Sequence, residues 1–196
     1  MLFKKKDNDI ILVAGLGNPD GEYDNTRHNI GFDAVDLLCQ KHGGAPFRAK
    51  HKAKISECKI KNKRIMIAKP QTYMNLSGEA VGEISRFYKI PLQNIIIIFD
   101  DISLDVGNIR IRRNGTHGGH NGMKNISEHL SSNDIARIKI GVGKKPHPEY
   151  DLKDWVLSKF KPEEKENKEK ALEKAVLAVE EMVTGSIDKA MNKYNS

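Results

Sequence analysis

The stretch IIIIFDD at residues 95–101 decides the fold. A continuous apolar run that ends abruptly in two carboxylates is typical of a strand that is buried on both faces. Such strands belong to parallel sheets that helices cover on both sides. Asp100 and Asp101 would then lie at the carboxyl end of the strand, where ligands collect in open α/β sheets.

Working outward from this strand, similar patterns recur along the chain. Apolar runs and one alternation of basic with apolar residues predict further strands. These predicted strands are 10–14, 55–60, 65–68, 106–111 and 138–142.

Apolar residues at helical spacing separate the predicted strands. They predict helices from about Phe32 to Gly43, after Ser77, and up to Leu130, and a C-terminal helical segment from about residue 162. Alternating strands and helices predict one three-layer α/β/α domain over residues 1–196. Its sheet should be mixed, mostly parallel and twisted, with helices on both faces.

The composition describes a basic protein of ordinary size. The 196 residues include 33 Lys and Arg against 26 Asp and Glu, which gives a formal net charge of +7. A surplus of this size fits an anionic partner such as nucleic acid, although charge alone does not decide the partner. Cys39 and Cys58 lie far apart and outside any C-x-x-C pair, which predicts reduced thiols in a reducing compartment.

The basic residues near the N-terminus do not lead into a targeting signal. Lys4 to Lys6 precede the apolar run at 10–14, but that run is too short for the apolar region of a signal peptide, and Asp7 and Asp9 lie between the lysines and the run. No segment is long enough to span a bilayer. We therefore expect a cytoplasmic protein that has no membrane partner.

Polar residues gather where predicted strands end. Because the carboxyl ends of parallel strands meet at one edge of a sheet, these residues should share a cleft. The four segments are 17–29 (with Asn18, Tyr23 and His28), 69–78 (with Tyr73, Met74 and Asn75), 100–101, and 117–122 (with His117, His120 and Asn121).

Taken singly, several of these residues have structural explanations. Asn18 could cap a turn, and Asn75 and Asn121 could be helix N-caps. His28 could precede a helix without any role. GLG at 15–17 after a strand suggests a dinucleotide site, but Asp20 occupies the place of the third glycine, so we reject that cofactor.

Taken together, the residues favour hydrolysis by activated water. A histidine, an aspartate and several asparagines follow strands, and no serine lies on a G-x-S-x-G elbow. A neutral imidazole can take a proton from water, a carboxylate can hold its tautomer, and amides can bind carbonyl oxygens. His117 and His120 with Asp100 and Asp101 also leave open a metal-assisted hydrolase.

As a set, the motifs resemble those of bacterial peptidyl-tRNA hydrolases, in order and over nearly the whole chain. The matching segments are GLGNP (15–19) with EY (22–23) and TRHNIGF (26–32), KPQTYMNLSG (69–78), GGHNGMK (118–124), RIKIGVG (137–143) and WVLSKF (155–160).

The resemblance implies an esterase that frees the peptide, or an N-blocked aminoacyl group, from the 3′ end of tRNA and so recycles prematurely released peptidyl-tRNA. His28 corresponds to the general base, Asp100 to the carboxylate that orients it, and Asn18 to the residue that selects N-blocked substrates. The positions that line the cleft or contact substrate are Tyr23, Tyr73, Met74, Asn75, His120 and Asn121, and those that grip tRNA phosphate are Arg110, Arg112 and Lys139.

No metal or other cofactor is implied, and the expected partner is tRNA. The protein should be a monomer in the cytoplasm, with no obligate protein partner. The same fold also occurs in RNA-splicing factors, so a non-catalytic RNA-binding relative is the alternative. Loss of His28 or Asp100 would favour that alternative, and both residues are present.

Three positions depart from the usual pattern of that family. Asp20-Gly21 stands where a glycine is common after the Asn-Pro pair, and Tyr73 stands where phenylalanine is common. Lys139 occupies a position that is often arginine, which loses bidentate phosphate binding. None of these departures affects the proposed base or its carboxylate.

Overall fold

In the computed structural model, which describes residues 10–195, seven strands form a single sheet. They are β1 (Ile10–Gly15), β2 (Arg48–Lys50), β3 (Ala53–Ile60), β4 (Lys63–Pro70), β5 (Ile95–Asp101), β6 (Ile109–Arg112) and β7 (Ala136–Gly141). Their order is β2-β3-β4-β1-β5-β7-β6. The central strands β4, β1, β5 and β7 are parallel, and the outer strands pair antiparallel.

Helices cover both faces of the sheet. They are α1 (Ile30–Lys41), α2 (Ser77–Tyr88), α3 (Asn121–Leu130), α4 (Leu152–Leu157), α5 (Lys165–Thr184) and α6 (Ile187–Tyr194). One apolar core lies between the sheet and α1, α5 and α6, and a second lies under α2 and α3. The predicted three-layer α/β fold with a mixed, centrally parallel sheet is thereby confirmed.

The assignment of all 196 residues to one domain stays a prediction, because residues 1–9 and 196 lie outside the described part. The basic run Lys4 to Lys6 lies outside it as well. Among the helices between residues 10 and 195, none is both long enough and apolar enough to cross a membrane.

The strand that decided the fold is the most deeply buried element of the sheet. Each residue from Ile95 to Phe99 is at most 4% exposed. Burying a side chain of this size fully is worth roughly 1.5–3 kcal/mol. β5 continues through Asp100 and Asp101, which pair with Ile140 and Gly141 of β7 instead of starting a loop. The two carboxylates are therefore held by a rigid strand.

Four local features differ from the sequence expectation. Residues 106–108 form a turn before β6, because Gly107 adopts a left-handed φ of 102° that a strand does not allow. The short edge strand β2 and the six-residue helix α4 were not predicted. The C-terminal helical segment divides at Gly185 into α5 and α6, and the hydroxyl of Ser186 caps the second helix by accepting from the Lys189 N–H at 3.2 Å.

The free edge of β6 is partly covered by a side chain. The Asn195 amide accepts a hydrogen bond from the Ile111 N–H at 2.6 Å and donates one to the Ile111 carbonyl at 3.2 Å. One residue thus gives Ile111 the two bonds that a neighbouring strand would provide.

Candidate active site

A cleft of about 660 Å³ opens at the carboxyl ends of the parallel strands. Every predicted site residue lines it except Arg110 and Arg112. The predicted residues in its wall are Asn18, Tyr23, His28, Tyr73, Met74, Asn75, Asp100, His120, Asn121 and Lys139. The location agrees with the rule that open α/β sheets bind ligands at this edge.

His28 and Asp100 form the central pair of the cleft. His28 lies in a single turn of 3-10 helix just before α1, and its Nδ1 lies 2.8 Å from Oδ1 of Asp100. Because a carboxylate only accepts hydrogen bonds, Nδ1 carries the hydrogen and Nε2 keeps its lone pair. No described residue binds Nε2, and the ring lines the cleft, so this lone pair can act on a ligand.

Opposing effects set the pKa values of this pair. Burial lowers the pKa of His28, but the charge of Asp100 and its hydrogen bond outweigh that effect, so the pKa is raised. Burial likewise raises the pKa of Asp100, and the two neighbouring imidazoles outweigh it and hold that pKa far below its usual value. Asp100 therefore stays ionised at neutral pH, and it orients the histidine without taking its proton.

His120 also binds Asp100, which the sequence did not predict. Its Nε2 lies 3.0 Å from the same Oδ1, and its Nδ1 accepts the Met123 N–H at 3.1 Å. The second contact makes His120 the N-cap of α3, so Asn121 does not have that structural role.

These hydrogen bonds disfavour a metal centre. Ligand atoms of His28, Asp100 and His120 lie within 4.8 Å of one another. However, a neutral His120 ring that accepts at Nδ1 must carry its hydrogen on Nε2, which leaves no lone pair there for a metal. In the alternative set, Nδ1 of His117 accepts the Gly119 N–H and Asp101 pairs with Lys139, so these residues do not assemble around one point.

Asn18 joins the first two polar segments. Its backbone N–H and carbonyl bind the Asn29 amide at 2.9 and 3.0 Å, and its own Oδ1 accepts the Met74 N–H at 2.9 Å. Since Oδ1 is used in this way, the orientation of the amide is fixed. Its Nδ2 has no acceptor in the described part of the chain and is available as a donor to a ligand.

Asn75 and Asn121 are exposed amides in the cleft wall. Neither side chain has a hydrogen-bond partner within residues 10–195, and neither residue is an N-cap, because Leu76 and His120 hold those positions at α2 and α3. Their amides are therefore free to bind a ligand.

Two departures from the family pattern contact each other at the rim. The Tyr73 hydroxyl donates to Oδ2 of Asp20 at 2.6 Å. Tyr73 is half exposed and lies beside Met74, whose N–H already binds Asn18. This second link joins the same two segments and holds the tyrosine ring at the mouth of the cleft.

Arg27, next to the proposed base, is an anchor that the sequence analysis missed. Its side chain is 1% exposed and binds Glu164 at 2.7 Å and the Val142 carbonyl at 2.8 Å, with its guanidinium 3.8 Å above the Trp155 ring. Its backbone N–H donates to the Ser158 carbonyl at 3.0 Å. The turn that carries His28 is thus fastened to the segment around α4. The sequence offers no signal for this pairing beyond an arginine beside the histidine.

α4 packs beside the turn that carries His28 and contributes Leu152, Val156 and Leu157 to the wall of the cleft. A signal for this helix is present in the sequence. Asp151 accepts the N–H groups of Lys153 and Asp154 as an N-cap, and apolar residues follow at 152 and 156. That combination of a cap and i,i+4 spacing is typical of a helix start.

The predicted phosphate contacts divide into two groups. Lys139 lines the cleft, but its Nζ is 2.9 Å from Oδ2 of Asp101, which neutralises part of its charge. Arg110 lies directly opposite Lys139 on β6, and Arg112 lies opposite Arg137. Arg110 and Arg112 therefore form a basic edge beside the cleft instead of part of its wall.

Comparisons with known proteins agree with this geometry. A family model described as Peptidyl-tRNA hydrolase matches residues 12–196. The chain is 48% identical to a peptidyl-tRNA hydrolase of Clostridium botulinum (strain Alaska E43 / Type E3), over 95% of this chain and 96% of that one. It is 50% identical to one of Lachnoclostridium phytofermentans, over 95% and 97%.

A solved structure has the same fold. The crystal structure of peptidyl-tRNA hydrolase from Acinetobacter baumannii superposes with a TM-score of 0.88 at 34% identity, over 96% of this chain and 97% of that one. Sequence and structure agree over nearly the full length, so the chain belongs to the peptidyl-tRNA hydrolase family.

Proposed function

We propose that this enzyme cleaves the ester between the peptide and the 3′ end of tRNA with water that His28 activates. The observation that carries the proposal is the His28–Asp100 contact of 2.8 Å, which leaves Nε2 of His28 free in the cleft. The non-catalytic alternative is not favoured, because the pair is intact and relatives that share about half of their residues with this chain are peptidyl-tRNA hydrolases.

In the proposed reaction, Nε2 of His28 takes a proton as the water oxygen attacks the ester carbonyl carbon. Asp100 holds the tautomer and stabilises the imidazolium that forms. When the carbon–oxygen bond breaks, the imidazolium returns its proton to the 3′ oxygen of the ribose. Asn75 and Asn121 supply unpaired amides near the ester, and donors of this kind stabilise the negative charge that develops on the carbonyl oxygen.

Selectivity for a blocked amine is assigned to Asn18. Its Nδ2 is the free half of an amide whose other half is bound to Met74, so it presents a donor of fixed orientation. A peptide carbonyl can accept from this donor, whereas a free aminoacyl group has no such carbonyl and leaves the donor unpaired. A buried donor left unpaired penalises the wrong substrate.

The remaining residues would hold the substrate. Tyr23, Tyr73 and Met74 provide apolar surface around the ester, and Arg110, Arg112 and Lys139 would bind phosphate. The net charge of +7 fits a polyanion. We further propose that the enzyme acts as a cytoplasmic monomer, without a metal, another cofactor or an obligate protein partner.

One pair of substrates tests both parts of the proposal. N-acetyl-aminoacyl-tRNA and free aminoacyl-tRNA are incubated with the protein, with and without excess EDTA, and release of the amino acid is followed. We expect rapid hydrolysis of the blocked substrate alone, unaffected by EDTA. Equal cleavage of both substrates contradicts the selectivity, and loss of activity in EDTA supports the metal-assisted reaction instead.

Asn18→Ala refines this test. We expect the ratio of kcat/KM values for blocked over free substrate to fall by about tenfold, the order of one hydrogen bond. Asn62→Ala, in the turn between β3 and β4, is the matched control. An unchanged ratio in Asn18→Ala means that the Asn18 amide does not bind the peptide carbonyl.

A further inference from the structure

One carboxylate oxygen in the cleft accepts hydrogen bonds from two histidines. Oδ1 of Asp100 lies 2.8 Å from Nδ1 of His28 and 3.0 Å from Nε2 of His120. Asp100 is only 4% exposed, so these contacts dominate its surroundings. The general-base reaction needs only the contact with His28, and it leaves the second donor unexplained.

The hydrogen bonds of His120 determine its tautomer. Nδ1 accepts the Met123 N–H at 3.1 Å, so the hydrogen of the neutral ring must be on Nε2. The ring packs against Phe99 with a centroid separation of 4.6 Å, and only 8% of the side chain is exposed. Both nitrogens are therefore used within the protein, and His120 has no free nitrogen to offer a substrate.

We propose that His120 is a positioning residue that limits the basicity of His28 by donating to the same oxygen of Asp100. A hydrogen bond to a carboxylate stabilises its negative charge and reduces what that charge can give to a second donor. Protonation of His28 therefore gains less from Asp100 than it would in an isolated pair, and more of the base stays unprotonated at neutral pH. This inference rests on the proposed role of His28 as the base.

Other charged and titratable groups share the wall of the cleft with His28. They are Tyr23, Asp101, His117, Lys139, Asp151 and Lys153. Asp101 and Lys139 pair with each other, and Arg27 beside His28 is bound to Glu164. None of these side chains is hydrogen-bonded to the His120 ring, whose partners are Asp100 and the Met123 N–H, so all of them are present in each variant compared at that position.

Two variants at His120 separate the lost hydrogen bond from the lost ring. His120→Phe keeps an aromatic ring against Phe99 and removes the donor, whereas His120→Gln keeps an amide N–H that can reach Asp100. We expect the acidic limb of kcat/KM against pH to move upward by about half to one unit in His120→Phe. Activity of this variant near pH 6 should fall by roughly three- to tenfold and recover above pH 8, and His120→Gln should keep the wild-type limb.

Other outcomes overturn the inference. A loss in His120→Phe that is equal at every pH, or a raised KM with an unmoved limb, indicates a role in folding or in substrate contact. If the Phe variant does not fold, nitrogen NMR of the wild-type protein decides, since hydrogen on Nδ1 of His120 contradicts the assigned tautomer. Normal turnover by His28→Ala overturns the proposed function instead. In that case, an NMR titration of His28 in wild type and in His120→Phe still tests whether His120 affects protonation of the His28 imidazole.

Discussion

Arg27 and His28 are neighbours in the chain with opposite relations to their surroundings. Arg27 is fully buried, and its guanidinium is bound by Glu164, by the Val142 carbonyl and by the face of Trp155. His28 has a partner at Nδ1 and none among the described residues at Nε2. An anchor needs every polar atom satisfied, whereas a base needs one atom left open in a fixed place. The contacts of Arg27 hold the turn in place, and that turn keeps the free Nε2 of His28 in a fixed position.

The largest expected effect comes from removing the His28 ring and with it the unpaired Nε2. His28→Ala should lose kcat by about 10² to 10⁴, the usual contribution of a general base, while tRNA binding and the folded structure remain. Single-turnover kinetics with N-acetyl-aminoacyl-tRNA measure the loss. His147→Ala is the matched control, because His147 is exposed and lies outside the cleft wall. Near-normal turnover by His28→Ala would show that His28 is not the base, so the contrast between an anchor and a base would no longer hold.

A second variant removes the ion pair that anchors Arg27. Glu164→Gln should destabilise the protein by roughly 3 kcal/mol, because it leaves the buried Arg27 charge without its counterion. We take the low end of the usual range since 20% of the Glu164 side chain is exposed. Urea unfolding measures the change, and Glu166→Gln, in an exposed pair with Lys170, is the control with an expected effect below about 1 kcal/mol.

The same ion pair has a predictable response to acid. Burial raises the pKa of Glu164, but hydrogen bonds and charge from Arg27 and Lys161 outweigh it, so the pKa in the folded protein is lowered. The stabilisation is therefore complete above the ordinary value of 4.5 and is lost as pH falls through the lowered pKa. Wild type should lose more stability than Glu164→Gln below pH 4.5, and parallel stability curves would contradict this account.

A smaller change weakens the hydrogen bond that Nδ1 of His28 makes to Asp100. Asp100→Asn should lower kcat less than His28→Ala does, by roughly 10- to 100-fold. Both histidines bind the same oxygen, and the amide oxygen of asparagine can accept both bonds. A neutral partner stabilises the imidazolium less, so the acidic limb of the rate profile should move to lower pH. A limb that stays in place or moves upward would show that Asp100 does not set the pKa of His28.

The smallest expected effects concern the basic edge outside the cleft. Arg110→Ala and Arg112→Ala should each raise KM by a few-fold with little change in kcat, and each should reduce the slope of log affinity against log salt by roughly 1. The wild-type slope should be roughly −2 to −3, with Lys139 contributing least because Asp101 pairs with it. Lys63→Ala, exposed at the opposite end of the sheet, is the control. A selective loss of kcat would place the arginines in the chemistry instead.

The sequence predicted the site where it depends on strand order, and failed where it depends on distant contacts. His28 and Asp100 are 72 positions apart, yet each follows a clear apolar run, and the strands that contain those runs, β1 and β5, are neighbours in the sheet. Arg27 pairs with Glu164, 137 positions away, and no local pattern indicates that an arginine will be buried. The His120–Asp100 bond depends on where α3 begins to within one residue, which periodicity does not determine.

The Asn195 amide that covers Ile111 also bears on how copies of this protein meet. An exposed strand edge can pair with the same edge of another molecule, and such pairing leads to aggregation. On β6, Asn195 occupies both edge groups of Ile111, and the flanking charges of Arg110 and Arg112 would repel an identical edge. The arginines proposed to attract tRNA would thus also oppose pairing between two copies, and removal of those charges and of Asn195 would leave the edge of β6 able to pair with the same edge of a second copy.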